Sequence, residues 1–274
     1  MNFLCGRFQL DLSSPRVMGI VNVTPDSFSD GGKFNRTDKA IAHAMQLVEE
    51  GADILDIGGE STRPGATPVP LEEELKRVLP VIEGLLQAGV PLSIDTYKPE
   101  VMRAAIDAGV DMVNDVRALQ EAHALEVVAR SQVGVCLMHM QGLPQTMQLD
   151  PQYGDVVLEV TEFLSARLQL IEMAGISRDR ILLDPGFGFG KRTAHNLTLL
   201  NHLSSLQSLG LPLLVGLSRK SVLGQVVGLN VDERLHASIA ASVLSVIKGA
   251  NIVRVHDVKP TVDALKVVSA LMHH

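Results

Sequence analysis

Val17-Met18-Gly19-Ile20-Val21 is an uncharged apolar run, and after a polar connection it is followed by a helical pattern over residues 38–50. A short aliphatic run and then an amphipathic stretch read as a β-strand and the helix that crosses back over it. The pairing recurs along the chain. Further strands are predicted over residues 54–57, 91–94, 111–113, 134–138, 181–183, 213–215 and 252–255, which makes eight with the first. Helices are predicted over residues 71–87, 100–108, 156–174, 195–208, 234–248 and 261–272. Gly51, Gly89, Gly109, Gly175, Gly210 and Gly249 stand where helices stop.

Leu213-Leu214-Val215 has no polar alternation, so such a strand is buried on both faces, as in a parallel sheet covered by helices. Eight βα units in 274 residues favour one closed (β/α)₈ barrel, a TIM barrel, over an open doubly wound sheet. No linker divides the chain, so residues 1–274 are read as a single domain. The first two βα connections, residues 22–37 and 58–70, are long and rich in Gly, Pro, Ser and Thr, as functional or mobile loops are.

The composition narrows the function. Lys and Arg number 24 against 31 Asp and Glu, a net charge of -7, which argues against nucleic acid or an anionic membrane as the main partner. Trp is absent and aromatic residues make up 3%, too few for a base-stacking platform. Cys5 and Cys136 form no CxxC pair, so neither a disulfide framework nor a zinc site is expected, and a reducing cytoplasm is the expected location. Residues 1–16 lack the pattern of a signal peptide, and the uncharged run 237–247 is about half a membrane span.

In a barrel the site lies at the C-terminal ends of the strands. The first polar residues there are Asn22; Asp56 with Glu60 and Thr62; Asp95; Asn114 with Asp115; His139; Asp184; Ser218 with Lys220; and Arg254 with His256. Asp56 and Asp115 are expected to bind neighbouring backbone amides, and His139 could be a satisfied rim histidine. Asp95, Asn114 and Asp184 could together hold a planar heterocycle, purine-like or pterin-like, by its donor and acceptor edge. Arg254 and His256 follow the last strand, where such barrels bind phosphate, although an ion pair across the rim would also account for Arg254. Asn22 offers a neutral oxygen that could help hold Mg²⁺ on a phosphorylated substrate.

Other patterns fail on their residues. Gly186 to Lys191 looks like a phosphate loop, but Pro185 and Arg192 occupy positions that need Gly and Ser or Thr. Gly216-Leu217-Ser218-Arg219-Lys220 lacks the second Gly of a nucleophile elbow, and Lys220, just past a strand beside Arg219, is poorly placed for a Schiff base. Cys136 reads as a buried small apolar residue.

The local strings carry a resemblance. Gly19-Ile20-Val21-Asn22-Val23-Thr24-Pro25-Asp26-Ser27-Phe28-Ser29-Asp30-Gly31-Gly32 resembles the first signature of the dihydropteroate synthase family, and Asp56-Ile57-Gly58-Gly59-Glu60-Ser61-Thr62-Arg63-Pro64-Gly65 resembles its second. Further matches are Ser93 to Thr96, Val113 to Asp115, Asp184 to Lys191, Gly216 to Ser221 and Val253 to Asp257, in family order over almost the whole chain.

The resemblance implies a TIM barrel that joins 6-hydroxymethyl-7,8-dihydropterin diphosphate to para-aminobenzoate on the route to folate. It implies that Asn114 and Asp184 hold the pyrimidinone edge, that Lys220 donates to the pterin and that Arg254 stacks over the ring. Asp95 would lie near the opposite edge and stabilise a pterin cation in a dissociative, SN1-like substitution. Asn22, Thr62, Arg63, Arg254 and His256 would surround the diphosphate and its Mg²⁺. Ser218 and Ser221 would take the para-aminobenzoate carboxylate, and Phe28, Pro64 and Phe189 would contact its ring. The two long loops would fold over the site, with pterin diphosphate binding first, and sulfonamides would compete with para-aminobenzoate. The resemblance also implies a homodimer, to which the helix at 261–272 could contribute. A corrinoid-dependent methyltransferase, a Schiff-base aldolase or a noncatalytic pterin-binding barrel are the alternatives.

Overall fold

The computed structural model describes residues 1–24, 33–61, 65–143 and 146–272. The chain opens with an antiparallel hairpin, β1 (Asn2–Cys5) and β2 (Phe8–Asp11). Eight parallel strands follow: β3 (Arg16–Asn22), β4 (Ile54–Gly58), β5 (Leu92–Asp95), β6 (Met112–Asp115), β7 (Gly134–Met138), β8 (Ile181–Asp184), β9 (Leu214–Val215) and β10 (Ile252–Val255). They pair in the order β8-β7-β6-β5-β4-β3-β10-β9, and a parallel bridge between Leu183 and Leu213 joins the two ends into a barrel. The helices are α1 (Lys33–Glu49), α2 (Leu71–Leu85), α3 (Pro99–Ala108), α4 (Ala124–Ala129), α5 (Val156–Met173), α6 (Thr193–Asn201), α7 (Ser221–Val227), α8 (Leu235–Ile247) and α9 (Val258–Met272). Among the described residues no helix is long and apolar enough to cross a membrane.

Period-two alternation along each strand builds two cores. Outward residues such as Leu55, Ile57, Ile94, Val113, Val135, Leu183 and Val253 pack against the helices. Inward residues at the strand starts, Met18, Ile54, Met112, Cys136, Leu182, Leu214 and Ile252, pack with Phe3, Cys5 and Leu12 from the hairpin region. The hairpin therefore plugs the lower end of the barrel. Gly134 permits it, since a Cβ there would lie 2.5 Å from the Phe3 ring.

All eight predicted strands form, most shifted by a residue at an end. The hairpin is an addition, because residues 1–16 carry too short an alternation to announce it. Helices α4 and α7 are also additions, each too short to show a period. Helix α1 begins at Lys33, inside what the sequence reads as loop. The stretch predicted as one helix over 195–208 divides at His202, where a 3-10 turn, Leu203–Leu209, takes over. Leu203 and Leu206 are both buried, and their three-residue spacing suits the tighter turn.

Candidate active site

The upper inward positions of the strands are polar. Asn22, Gly58, Asp95 and Asn114 are register partners in sequence across β3 to β6, so their side chains meet at one height above the apolar floor. A cavity of about 440 Å³ opens there, the size of a small-ligand site. Of the residues expected at the site, Asn22, Asp95, Asn114, Asp184, Phe189, Ser218, Lys220, Ser221, Arg254 and His256 line it. Phe28, Thr62, Arg63 and Pro64 lie outside the described residues.

The centre of the site is an ionic lattice. Arg254 Nε donates to Asp56 Oδ2 at 2.5 Å and its Nη2 donates to Asp95 Oδ2 at 2.7 Å. Asn114 Nδ2 donates to the same Asp56 oxygen at 3.0 Å. The expectation that Asp56 binds backbone amides is corrected here: it faces inward one layer below the rim and holds two ligand-facing side chains from beneath. Asp115 behaves as expected, accepting from the backbone N–H groups of Arg117 and Leu119, both at 2.7 Å. The rim ion pair considered for Arg254 is thus present, and Arg254 lines the cavity as well.

Three inward carboxylates, Asp56, Asp95 and Asp184, face two cations, Arg254 and Lys220, and this excess of acid is felt in the titration of the site. Burial pushes Asp95 up to about 7; Arg254 opposes that rise, and the neighbouring Asp56 adds to it. Burial lowers Lys220 to about 8, although Asp184 pulls the other way. Burial also works against the charge on Arg254, but Asp56 and Asp95 outweigh it and raise its pKa further. Burial raises Asp184 against the pull of Lys220 and of the Gly186 N–H, which donates to Asp184 Oδ1 at 2.7 Å. Lys220 donates to the Phe187 carbonyl at 2.5 Å and lies 4.5 Å from the centre of the Phe189 ring.

The last two loops are joined through Ser218. Its hydroxyl accepts from the His256 backbone N–H at 3.1 Å and meets His256 Nδ1 at 3.0 Å. Its side chain therefore orients His256, whereas Ser221, the first residue of α7, is exposed. Arg219 sits between Ser218 and Lys220 with a left-handed φ of 57°. Its side chain closes two bonds on Asp257, at 2.9 and 2.5 Å, which hold this conformation.

His139 does not face the cavity. It is buried against Phe163, ring centres 4.9 Å apart, and meets Lys191 Nζ at 2.9 Å through Nδ1. Burial and then Lys191 lower it to about 3, so it is the satisfied rim histidine. Lys191 donates to the carbonyls of Gly186 and Phe189 at 2.8 and 3.1 Å, so its amino group braces the glycine loop from inside. That is the opposite of a phosphate-loop lysine. Gly186 has φ +69°, and a Cβ there would lie 1.8 Å from the His139 carbonyl oxygen. Cys136 is buried, as expected.

Glu60, Ser61, Met138, Met147, Arg219 and Arg234 also line the cavity. Glu60 is among the strand-end polar residues of the sequence; the other five carry no such signal there. Met138 could have been found by parity, since it pairs in register with Asp184. Met147 and Arg234 lie in segments with no strand-end signal.

An aliphatic barrel whose mouth combines a carboxylate and amide pair with a guanidinium is suited to a planar heterocycle with a donor and acceptor edge. The chain belongs to the pterin binding enzyme family, whose model matches residues 18–256. Its relatives include dihydropteroate synthases. It is 55% identical over 273 residues to the dihydropteroate synthase of Neisseria meningitidis serogroup B, covering 97% of this chain and 96% of that one. The Yersinia pestis dihydropteroate synthase, solved with a sulfonamide drug, superposes with a TM-score of 0.95 at 49% identity over 100% of both chains. The Xanthomonas albilineans dihydropteroate synthase, solved with 4-aminobenzoic acid, gives a TM-score of 0.92 at 57% identity over 96% of this chain and 95% of that one.

Proposed function

We infer that this chain is the transferase that joins 6-hydroxymethyl-7,8-dihydropterin diphosphate to para-aminobenzoate, giving 7,8-dihydropteroate and diphosphate. The observation that carries the reading is the set of Asp95, Asn114, Asp184, Lys220 and Arg254 around one cavity in a chain about half identical to dihydropteroate synthases along nearly its whole length. Asn114 and Asp184 hold the pyrimidinone edge, Lys220 donates to the pterin carbonyl side, and Arg254 lies along the ring. Arg254 cannot rotate freely, because Asp56 and Asp95 each hold one of its guanidinium nitrogens.

The chemistry needs no covalent intermediate. The methylene carbon–oxygen bond breaks with its electron pair leaving on the diphosphate, and the electron-rich dihydropterin shares the positive charge left behind. Asp95, in its ionised form, stabilises that cation. The neutral arylamine nitrogen then forms the new bond and loses a proton. Arg254 and His256, with Arg63, stabilise the leaving diphosphate, and Ser221 receives the para-aminobenzoate carboxylate.

Mg²⁺ fits the donor set. Among the described residues no cluster of three or more His, Cys, Asp or Glu could cage a metal, so the ion would take most of its oxygens from diphosphate and water. A Cβ on Gly58 would lie 3.6 Å from Asp95 Cβ and 4.0 Å from Asn22 Oδ1, so the glycine leaves room between two oxygen-bearing side chains. Asp95 Oδ1 is buried without a partner. Asn22 would hold the ion, which supplies neutralisation of the leaving diphosphate when bound.

Two copies of the chain pair, in this reading, through helices α8 and α9, which expose Leu244, Ile247, Val267 and Leu271. Light scattering checks this. The activity is tested by following diphosphate release and dihydropteroate formation together, with Mg²⁺, with and without para-aminobenzoate. Matching amounts of both products are expected; bound pterin without either product would leave a binding barrel.

A further inference from the structure

Three consecutive residues just past Asp95 take no part in the chemistry above, yet all three send their side chains to one place. Thr96 Oγ1 donates to Glu74 Oε1 at 2.8 Å, and Tyr97 OH donates to Glu60 Oε1 at 3.0 Å. Lys98 Nζ binds the Glu60 carboxylate, Glu74 Oε2 at 2.5 Å and the Val69 carbonyl at 2.6 Å. Glu60 also accepts from the Val69 N–H at 3.2 Å.

Glu60 lies on the outgoing limb of the β4–α2 connection, Val69 on its returning limb and Glu74 in the first turn of α2. One ammonium thus gathers both limbs and the helix they lead to. Every oxygen of the two carboxylates has a partner, and Glu74 is only 1% exposed. A buried ion cluster pays a desolvation penalty that well-packed apolar side chains of similar volume would avoid, so its value lies in fixed position more than in stability. The position is specific. Glu60 and Ser61 form the cavity wall beside Asp95, and Lys98 is three residues beyond Asp95 on the same chain segment.

We propose that Lys98 is a positioning residue for the reaction: by gathering Glu60, Val69 and Glu74 it fixes the Glu60–Ser61 wall against the strand end that carries Asp95, and so limits the access of water to the reacting methylene carbon. The inference rests on the dissociative reading above. When water adds to that carbon, its oxygen forms the bond, the diphosphate leaves with the electron pair of the broken bond, one proton goes to solvent, and hydroxymethyl-dihydropterin forms in place of dihydropteroate. Capture by water therefore uncouples diphosphate release from dihydropteroate formation.

The test measures the ratio of diphosphate released to dihydropteroate formed at saturating para-aminobenzoate for the wild-type enzyme, Lys98→Met and Glu74→Gln. Lys98→Met keeps the aliphatic stem and removes the hub, whereas Glu74→Gln weakens it without altering a residue that lines the cavity. The wild-type ratio is expected near one, that of Lys98→Met about threefold higher or more, and that of Glu74→Gln between them. If Lys98→Met does not fold, the ratio for Glu74→Gln decides alone. A wild-type ratio in the folded variants, accompanied only by a lower melting temperature, overturns the proposal. A wild-type enzyme that forms no dihydropteroate overturns the functional reading, and this one with it.

Discussion

Asp56 lies beneath Arg254, Oδ2 to Nε at 2.5 Å, and its own second carboxylate oxygen is buried without a partner. The ligand-facing guanidinium is thus set by a fully buried carboxylate below the cavity. Removing one member of such a pair leaves the other buried and uncompensated. Asp56→Asn is therefore expected to destabilise the enzyme by about 3 kcal/mol and to lower kcat/KM by about a hundredfold. Urea melts and steady-state kinetics measure the two effects, and a variant with wild-type turnover would remove Asp56 from the positioning machinery.

The pH dependence follows from two groups. Asp95 stands at about 7 and Lys220 at about 8, so the ionised carboxylate and the ammonium coexist best in a narrow interval between them. A bell-shaped kcat/KM is expected, losing activity below 7 as Asp95 protonates and above 8 as Lys220 deprotonates. Asp95→Asn should abolish the acid limb. The sign for stability is the reverse of that for activity. The raised pKa means that the neutral carboxyl stabilises the fold below its ordinary 3.8, and this contribution is lost as pH rises through about 7. Thermal melts of the free enzyme should show that loss in the wild type and not in Asp95→Asn.

Lys191 supports backbone and does not bind phosphate. Lys191→Met leaves the Phe189 carbonyl without its donor and the Gly186 carbonyl with only the Phe189 N–H, and should lower stability by about 2 kcal/mol. Calorimetric titration with inorganic diphosphate should give nearly unchanged affinity. A large loss of affinity in a folded variant would restore the phosphate-loop reading.

Gly186→Ala combines a left-handed φ with a Cβ placed 1.8 Å from a carbonyl oxygen. The backbone must move, and Asp184 loses the N–H that holds its Oδ1. The variant should be destabilised by about 3 kcal/mol or more in urea and bind pterin weakly. Wild-type stability would mean that the loop adopts another path.

Phe3 fills the lower end of the barrel and is fully buried. Phe3→Ala should cost about 3–5 kcal/mol in a urea melt and leave kcat/KM little changed at a temperature where the variant is folded. A specific loss of activity would show that the floor and the mouth are mechanically coupled.

Much of the mouth was legible because a strand end imposes a rule: the last inward residue of a parallel strand faces the site. Asp95, Asn114, Asp184 and Arg254 all obey it. Asp56 escaped because it lies one layer deeper, where a carboxylate is more often tied to backbone; the alternation linking it to Gly58 was the available signal. The Ser218–His256 bond joins residues 38 apart in sequence and exists only because β9 and β10 are neighbours. The hairpin escaped for another reason. Its alternation is short, and Phe3 and Cys5 become core only once the barrel above them exists.

The apolar floor has an electrical consequence. Met18, Ile54, Met112, Cys136, Leu182, Leu214 and Ile252 form an insulating base under Asp56, Asp95 and Arg254, so solvent can screen those charges only through the mouth. A substrate entering the mouth displaces the last polarisable medium between the charges and the reacting carbon. Occupancy itself then strengthens the field that acts on the bond to be broken: the charges stand ready in the empty barrel, and the substrate removes what screens them.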